Sequence, residues 1–157
     1  FTFVCPTEIR AFSDSMDAFG KRDTVVLGIS VDSIYSHHAW GRVPRKQGGI
    51  AGIAFPLLSD AKKEVSADYG VLMEETGQAM RGLFIINSKG VLKHCTINHN
   101  DIGRSVDEVL RVLDAIDFSE KNGVVCPANW KAGQKGIQPT QEGLEIHEKE
   151  QEETPAT

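Results

Sequence analysis

Phe1-Thr2-Phe3-Val4-Cys5-Pro6-Thr7-Glu8 places a cysteine directly before a proline. The apolar residues before the cysteine are typical of a strand, and proline suits the first position of a helix because its missing N–H would be unpaired there. Cys5 then faces the free N–H groups and the positive end of the helix dipole, which favour the nucleophilic thiolate. The position equally suits a small buried apolar residue, so this stretch alone leaves both interpretations open.

A second Cys-Pro pair favours the chemical interpretation. It lies in Val124-Val125-Cys126-Pro127-Ala128-Asn129-Trp130. With both stretches present, the chain from Phe1 to about Pro139 resembles the typical two-cysteine peroxiredoxins. Further motifs that carry the resemblance are Val26-Leu27-Gly28-Ile29-Ser30-Val31-Asp32, His38-Ala39-Trp40, Phe55-Pro56-Leu57-Leu58-Ser59-Asp60, Asp68-Tyr69-Gly70-Val71-Leu72, Arg81-Gly82-Leu83-Phe84-Ile85-Ile86 and Gly103-Arg104-Ser105-Val106-Asp107-Glu108.

The resemblance implies an α/β protein with the thioredoxin-like fold, a mixed central sheet flanked by helices. It implies an antioxidant enzyme, a thiol-dependent peroxidase that reduces hydrogen peroxide and small organic hydroperoxides without a cofactor. Electrons would come from thioredoxin or a similar dithiol protein. We expect residues 1–130 to form this domain and residues 131–157 to be a flexible tail.

The resemblance also implies roles for individual residues. Cys5 would attack the peroxide and become a sulfenic acid. Thr2 would orient the peroxide, and Arg81 would stabilise both the thiolate and the leaving oxygen. Glu8 would hold Arg81 through a charge-assisted pair, a network that Arg104 can join. Without the family match, each arginine would be interpreted as part of a surface ion pair of little energetic value.

Cys126 is the expected resolving thiol. In the family this cysteine attacks the sulfenic acid of a partner subunit, so the implied working unit is a homodimer that can assemble into a ring of dimers such as a decamer. The resulting disulfide is reduced by exchange with an outside dithiol.

The family carries a further stretch before the position that corresponds to Phe1. The strand that leads into the reactive cysteine is central in the implied fold, and residues 1–4 are what remains of it here. Loss of a central strand leaves neighbouring strand edges unpaired. We therefore expect a longer parent protein, with a truncated domain as the alternative.

Composition limits the classes of function. The chain has 157 residues and a net charge of −5, which favours neither nucleic-acid nor anionic-membrane binding. It contains no apolar run of about 20 residues. Three cysteines are too few for a secreted disulfide scaffold, and His94, Cys95 and His99 do not form a convergent metal site. We expect no metal, and a cytoplasmic location with an organelle left open.

Periodicity and turn residues predict the order helix, strand, helix, strand, helix, hairpin, helix. The predicted spans are helix 6–19, strand 24–31, helix 33–42 capped by Ser33, strand 54–58, helix 61–69, strands 82–86 and 91–97, and helix 105–116. On the second hairpin strand Cys95 is expected to be buried and inert. The glutamate-rich end is expected to be largely disordered.

The sequence also predicts how the protein responds to overoxidation. Peroxide-sensitive members of the family carry a Gly-Gly-Leu-Gly loop and a C-terminal Tyr-Phe pair. This chain has Gly48-Gly49-Ile50-Ala51-Gly52 and no Tyr-Phe after Cys126, so resistance is expected.

Two other classes compete with a peroxidase. A dithiol–disulfide oxidoreductase needs a Cys-x-x-Cys pair, but Glu8 stands where the second sulfur would be. An oligomeric holdase chaperone or a redox-signalling adaptor without significant turnover gains weight if the chain is truncated, because exposed apolar edges bind unfolded partners.

Overall fold

The computed structural model of the chain describes residues 2–153, with the backbone alone at position 153. The elements in chain order are α1 (Cys5–Asp14), α2 (Met16–Gly20), β1 (Gly28–Ser30), α3 (Ile34–Trp40), a 3₁₀ turn (Arg45–Gln47), β2 (Leu57–Ser59), α4 (Glu64–Asp68), β3 (Leu72–Met73), β4 (Gln78–Ala79), β5 (Arg81–Ile86), β6 (Leu92–Asn98), α5 (Val106–Asn122) and α6 (Gln141–Glu153). Helices and strands are interspersed along the chain, so the α/β class is confirmed.

The strands form three pairs rather than the one mixed sheet that was predicted. β1 and β2 are parallel, whereas β3 with β4 and β5 with β6 are antiparallel. Within residues 2–153 no strand joins β1 to β5. Phe1 lies outside the described residues, and instead of the expected strand residue 2 has no regular structure and residues 3 and 4 form bends. Val4 already has helical dihedral angles, because its carbonyl accepts the first hydrogen bonds of α1 from Thr7 and Glu8.

The hairpin is the element that the sequence predicts best. Asn87 and Gly90 close its turn, where the Gly90 N–H donates to the Asn87 carbonyl and the positive φ of 76° suits glycine. The strands then pair in register from Arg81 opposite Asn98 to Ile85 opposite His94. This register places Arg81 at the start of β5, beside the loop that follows β6.

The first predicted helix is divided. Ser15 has φ −102° and ψ 9°, so the helix 6–19 becomes α1 and α2. The apolar stripe survives the break: Phe12 and Phe19 stack with ring centroids 5.7 Å apart, and Phe19 is buried. This stacking packs α1 against α2, and the N-terminal turn of α1, which carries Cys5, faces the hairpin.

The chain divides into two compact units between Val106 and Asp107. The buried apolar side chains of the first are Phe19, Trp40, Ile50, Phe55 and Val71, and those of the second are Val109, Val112 and Trp130. The predicted domain boundary after residue 130 stays a prediction.

The glutamate-rich end holds a helix where a largely disordered segment was expected. α6 begins after Thr140, whose carbonyl accepts from the Leu144 N–H and whose hydroxyl accepts from the Gly143 N–H at 3.1 Å. An ion pair between Lys135 and Glu150 (2.6 Å) ties this helix to the segment before it. The missed signal is this cap, a local feature that composition does not reveal. Residues 154–157 of the predicted tail lie outside the described residues.

Candidate active site

Cys5 occupies the first turn of α1. The helix begins at Cys5 itself, so Pro6 takes its second position rather than the first that was predicted. Proline has no N–H to leave unpaired at either position. The thiol is half-buried and lies at the positive end of the helix dipole.

The guanidinium of Arg81 reaches the Cys5 sulfur from β5. Its Nη1 lies 3.3 Å from Sγ and donates to Oε2 of Glu8 at 2.6 Å. Its Nε donates to the backbone carbonyl of Asn100 at 2.8 Å. Arg81 is 9% exposed, so three acceptors fix its plane in a site with little water. The Asn100 carbonyl was not foreseen, because a backbone acceptor leaves no signature in sequence.

Glu8 lies one helical turn after Cys5 and is 4% exposed. Its carboxylate accepts four hydrogen bonds: one from Arg81, and three from Arg104 through the backbone N–H (2.7 Å), Nε (2.9 Å) and Nη2 (3.0 Å). Arg104 Nη1 also donates to the Gly82 carbonyl at 2.6 Å. A buried carboxylate with this many charge-assisted donors is well compensated for the loss of water.

Two pKa shifts follow from this network. Burial raises the pKa of Glu8, but the hydrogen bonds and charge of Arg104 and the charge of Arg81 together lower it by a larger amount, so the net shift of the pKa is downward. Burial lowers the pKa of Arg81, but the Cys5 sulfur and Glu8 raise it, and the net shift is upward. Glu8 is therefore an anion and Arg81 a cation throughout the neutral range.

A charge count describes what the cluster can do. Two guanidinium groups face one carboxylate and one sulfur. The cluster carries one excess positive charge while Cys5 is a thiol, and none when it is a thiolate. The arrangement can therefore hold a sulfur anion, and it presents a fixed donor beside it where negative charge would develop on an attacked molecule.

Thr2 is not brought into this network by the hydrogen bonds of the described residues. It is exposed and lies outside any helix or strand. Its predicted role in orienting a peroxide stays a prediction.

Cys126 lies in the second unit, where its Sγ donates to the Ala115 carbonyl of α5 at 3.5 Å. It is half-buried. Burial raises the pKa of its thiol, and the positive charge of Arg111 offsets this only in part. Cys5, Cys95 and Cys126 are all free thiols.

Cys95 is exposed, so its predicted burial is wrong. It lies on β6, which pairs with β5 alone among the described strands. Strand periodicity shows that Cys95 points away from His94 and Thr96, but not whether another layer covers that face.

Within residues 2–153 no group of three or more histidine, cysteine, aspartate or glutamate side chains is arranged to hold a metal ion. Among the helices in that range, none has the length and apolar character needed to cross a membrane.

Two family models match the chain. The model of the AhpC/TSA family matches residues 1–95, and that of the C-terminal domain of 1-Cys peroxiredoxin matches residues 115–154. The chain is 55% identical over 140 residues to a thioredoxin peroxidase of Echinococcus granulosus, covering 89% of this chain and 72% of that protein. It is 53% identical to peroxiredoxin-1 of Gallus gallus, covering 88% and 70% of the two chains. The reduced 2-Cys peroxiredoxin of Plasmodium vivax has a similar structure, with a TM-score of 0.92 and 45% identity over 94% of this chain and 76% of that one.

Proposed function

Because the chain belongs to the AhpC/TSA family and is a thiol-dependent peroxidase with a thioredoxin-like α/β fold, we propose that Cys5 is its peroxidatic nucleophile and that Arg81 and Glu8 complete the site. The observation that carries the proposal is the single nitrogen of Arg81, Nη1, that contacts both the Cys5 sulfur and the Glu8 carboxylate. It joins the nucleophile to a buried, ionised positioning group.

In the proposed first step the Cys5 thiolate attacks one peroxide oxygen. An S–O bond forms, the O–O bond breaks, and the leaving oxygen takes a proton to become water or an alcohol. The sulfur is oxidised to a sulfenic acid and the peroxide is reduced. Arg81 stabilises the thiolate before attack and the leaving oxygen during it, while Thr2 orients the peroxide.

In the proposed second step Cys126 of a partner subunit attacks the sulfenic acid and forms a disulfide, which thioredoxin or a similar dithiol protein reduces. The names thioredoxin peroxidase and 2-Cys peroxiredoxin, carried by relatives, support this sequence of steps. The working unit is a homodimer that can assemble into a ring of dimers. A related Plasmodium yoelii protein, modified at its N-terminus, is described as an artifactual octamer, which supports assembly beyond the dimer.

We also propose a cytoplasmic location. Relatives include chloroplastic and mitochondrial proteins, so an organelle remains the alternative.

Three cysteine variants of the full-length protein test the proposal. Cys5→Ser is expected to abolish rapid consumption of one equivalent of peroxide. Cys126→Ser is expected to spare that first consumption and to stop turnover with thioredoxin. Cys95→Ser is the matched control and is expected to keep both. A Cys5→Ser protein with the wild-type single-turnover rate would refute the assignment of the nucleophile.

Non-reducing gels test the pairing of the two cysteines. One equivalent of peroxide is expected to produce a dimer that dithiothreitol returns to monomer, with Cys5 linked to Cys126 in the peptide map. A link within one chain would contradict the intersubunit part alone.

Exposed apolar side chains favour a second candidate function, that of a holdase chaperone. Val25 is 82% exposed, and Leu27 and Ile29 are exposed beside it. Suppression of aggregation of a heated client protein by Cys5→Ser as well as by wild type would support holdase activity independent of peroxide turnover. No suppression by either protein would exclude it.

A further inference from the structure

One face of α5 holds the loop that carries Cys126. Arg111, Ala115 and Phe118 share this face because they are four and three residues apart. Arg111 Nη1 donates to the Trp130 carbonyl at 2.9 Å, and the Ala115 carbonyl accepts from Cys126 Sγ. The Phe118 ring stacks on Trp130 with a centroid distance of 4.9 Å. The proposed resolving cysteine and the buried Trp130 are thus fastened to the same helix, and the fastening at Trp130 is made by a charged residue.

Arg111 is also the charged group that acts on the Cys126 sulfur. Burial raises the pKa of the Cys126 thiol, and the charge of Arg111 opposes that rise. This charge is itself balanced by Glu108, which accepts from Arg111 Nε and Nη2 at 2.7 Å each. The Glu108–Arg111 pair is half-exposed, so its strength responds to solvent and salt.

The remaining charged groups on the elements around Cys126 are paired, solvent-exposed or otherwise engaged. On α5 these groups are Asp107, Asp114, Glu120 and the Asp117–Lys121 pair. On residues 127–137, which follow Cys126 and end at the bridge to Val125, they are Lys131, which is exposed, and Lys135, which pairs with Glu150 of α6. Arg111 therefore stands out as the cation that can influence the sulfur.

We propose that Arg111 is a positioning and activating residue for Cys126: it fastens residues 126–130 to α5 and supplies the positive charge under which the thiol ionises, while Glu108 weakens that charge. The inference rests on the proposed function, because it concerns its second step. In that step the Cys126 proton passes to solvent and the thiolate attacks the Cys5 sulfenic sulfur. The S–S bond forms, the S–O bond breaks, and hydroxide leaves and is protonated to water. The Cys126 sulfur is oxidised and the Cys5 sulfur is reduced.

The first test measures ionisation of Cys126 without any peroxide chemistry. In full-length protein carrying Cys5→Ser and Cys95→Ser, Cys126 is the remaining described cysteine, and its rate of alkylation by iodoacetamide is followed against pH. Arg111→Met is expected to move the midpoint of this profile to higher pH. Glu108→Gln is expected to move it to lower pH, because the arginine charge is then unopposed. Arg111→Lys is expected to stay near wild type.

Matched controls on the same helix are Lys121→Met and Asp117→Asn. They remove one positive and one negative charge from an exposed ion pair that lies more than one helical turn after Arg111. Neither is expected to move the midpoint. A purely structural role for the Glu108–Arg111 pair would move Arg111→Met and Glu108→Gln in the same direction, and that result, or no shift in either, would overturn the proposal. If Arg111→Met does not fold, Glu108→Gln alone tests the proposal: a midpoint of alkylation at lower pH supports it, and an unchanged or higher midpoint overturns it.

The second test follows formation of the disulfide after one equivalent of peroxide in protein with all three cysteines. A lower thiolate population slows attack, but the more basic thiolate is more nucleophilic, so each tenfold loss of thiolate slows the step by about threefold at neutral pH. Arg111→Met is expected to show such a slowing and Glu108→Gln a modest acceleration. If wild type forms no Cys5–Cys126 disulfide while the alkylation profiles shift as expected, the proposed function fails and the role of Arg111 in ionising Cys126 stands.

Discussion

Nη1 of Arg81 lies 3.3 Å from Sγ of Cys5, although 76 positions separate the two residues in the chain. The same nitrogen donates to Glu8, so neither contact can be altered without disturbing the other. Helix α1 supplies the sulfur and the carboxylate, and strand β5 supplies the cation between them. The site is therefore a charge network that joins a helix start to a hairpin.

Replacing Arg81 is expected to slow peroxide reduction strongly. Arg81→Met removes a fixed donor beside the sulfur, and loss of one such donor typically costs about 10²–10³-fold in rate. Arg81→Lys keeps a positive charge but lacks the planar fork that spans Cys5, Glu8 and the Asn100 carbonyl, so partial recovery is expected. Stopped-flow measurement of single-turnover peroxide consumption checks both variants.

The control for this prediction is Arg45→Met. Arg45 also contacts α1, through a half-exposed ion pair with Asp14 at 2.7 Å, but it does not reach the sulfur. Its loss is expected to leave the first step within about twofold of wild type, as for most exposed ion pairs. Equal slowing in Arg45→Met and Arg81→Met would mean that α1 stability, rather than the donor, controls the rate.

Glu8 is expected to make stability depend on acid. Its pKa is lowered in the folded protein from an ordinary value of 4.5, so its ionised form stabilises the fold above that value. This stabilisation is lost as pH falls from about 4.5 through the lower folded pKa, since protons then bind more readily to the unfolded chain. Wild type should therefore lose free energy of unfolding over that acidic window in urea titrations.

Glu8→Gln is expected to remove this acidic dependence and to lower stability at neutral pH. Breaking a buried ion pair on one side typically costs about 3–5 kcal/mol, because the partners remain buried and charged. Asp14→Asn, on the exposed end of the same helix, is the control and should cost less than about 1 kcal/mol. A Glu8→Gln protein as stable as wild type at neutral pH would contradict the energetic importance of the network.

The parts of this site that sequence predicts are those that recur as motifs. Cys5 and Glu8 belong to one stretch, Arg81 to a second and Arg104 to a third, and the structure brings all four together. The spacing along α1 accounts for Cys5 and Glu8 facing the same way. The approach of Arg81 and Arg104 depends on the hairpin register and on the loop after β6, which pattern alone does not determine.

The predictions that failed have two physical causes. Exposure of Cys95 and separation of the strand pairs both depend on which elements pack against each other, a tertiary property, whereas the helix at residues 141–153 was missed because its Thr140 cap is a local feature that composition does not reveal. Ser15 shows the same limit on a smaller scale: the apolar stripe of one long helix continues across it, and only the backbone geometry reveals the break. Periodicity identifies the buried face of an element and not its layer partners.

Gly49 is expected to tolerate no side chain. A Cβ there would lie 1.9 Å from the Val43 carbonyl oxygen, and backbone cannot move aside as a flexible side chain does. Gly49→Ala should therefore destabilise the protein by more than about 2 kcal/mol through forced backbone shifts. Gly20→Ala, where a Cβ meets nothing within 4 Å, is the control and should be neutral or stabilising by less than about 1 kcal/mol. Urea denaturation of both variants distinguishes a local clash from a general intolerance of glycine replacement.

The loop around Gly49 bears on the fate of the oxidised sulfur. Arg10 of α1 donates through Nε to the Gly49 carbonyl at 2.9 Å, and the Ser13 hydroxyl accepts from the Ala54 N–H at 2.9 Å. The later part of α1 is thus attached to this loop, whereas the first turn with Cys5 is attached through Glu8 and Arg81. Movement of Cys5 toward Cys126 in the proposed second step therefore has to open the first turn against a fixed second half.

Arg10 is expected to set how readily that opening occurs. The hydrogen bond from its Nε to the Gly49 carbonyl restrains α1, although burial of its Nη2 without a hydrogen-bond partner among the described residues costs free energy. Arg10→Met should loosen the helix, speed formation of the disulfide and lower the fraction of Cys5 that a second peroxide converts to sulfinic acid.

Wild type, with no Tyr-Phe pair within residues 127–157, should itself resist sulfinate formation at sub-millimolar peroxide, and Arg10→Met should resist at least several-fold higher peroxide. Mass spectrometry of Cys5 after turnover with thioredoxin at rising peroxide measures both. Accumulation of sulfinate in wild type at low peroxide would show that opening is slower than the missing Tyr-Phe pair implies, and greater sulfinate in Arg10→Met than in wild type would show that the Arg10 contact does not restrain the first turn.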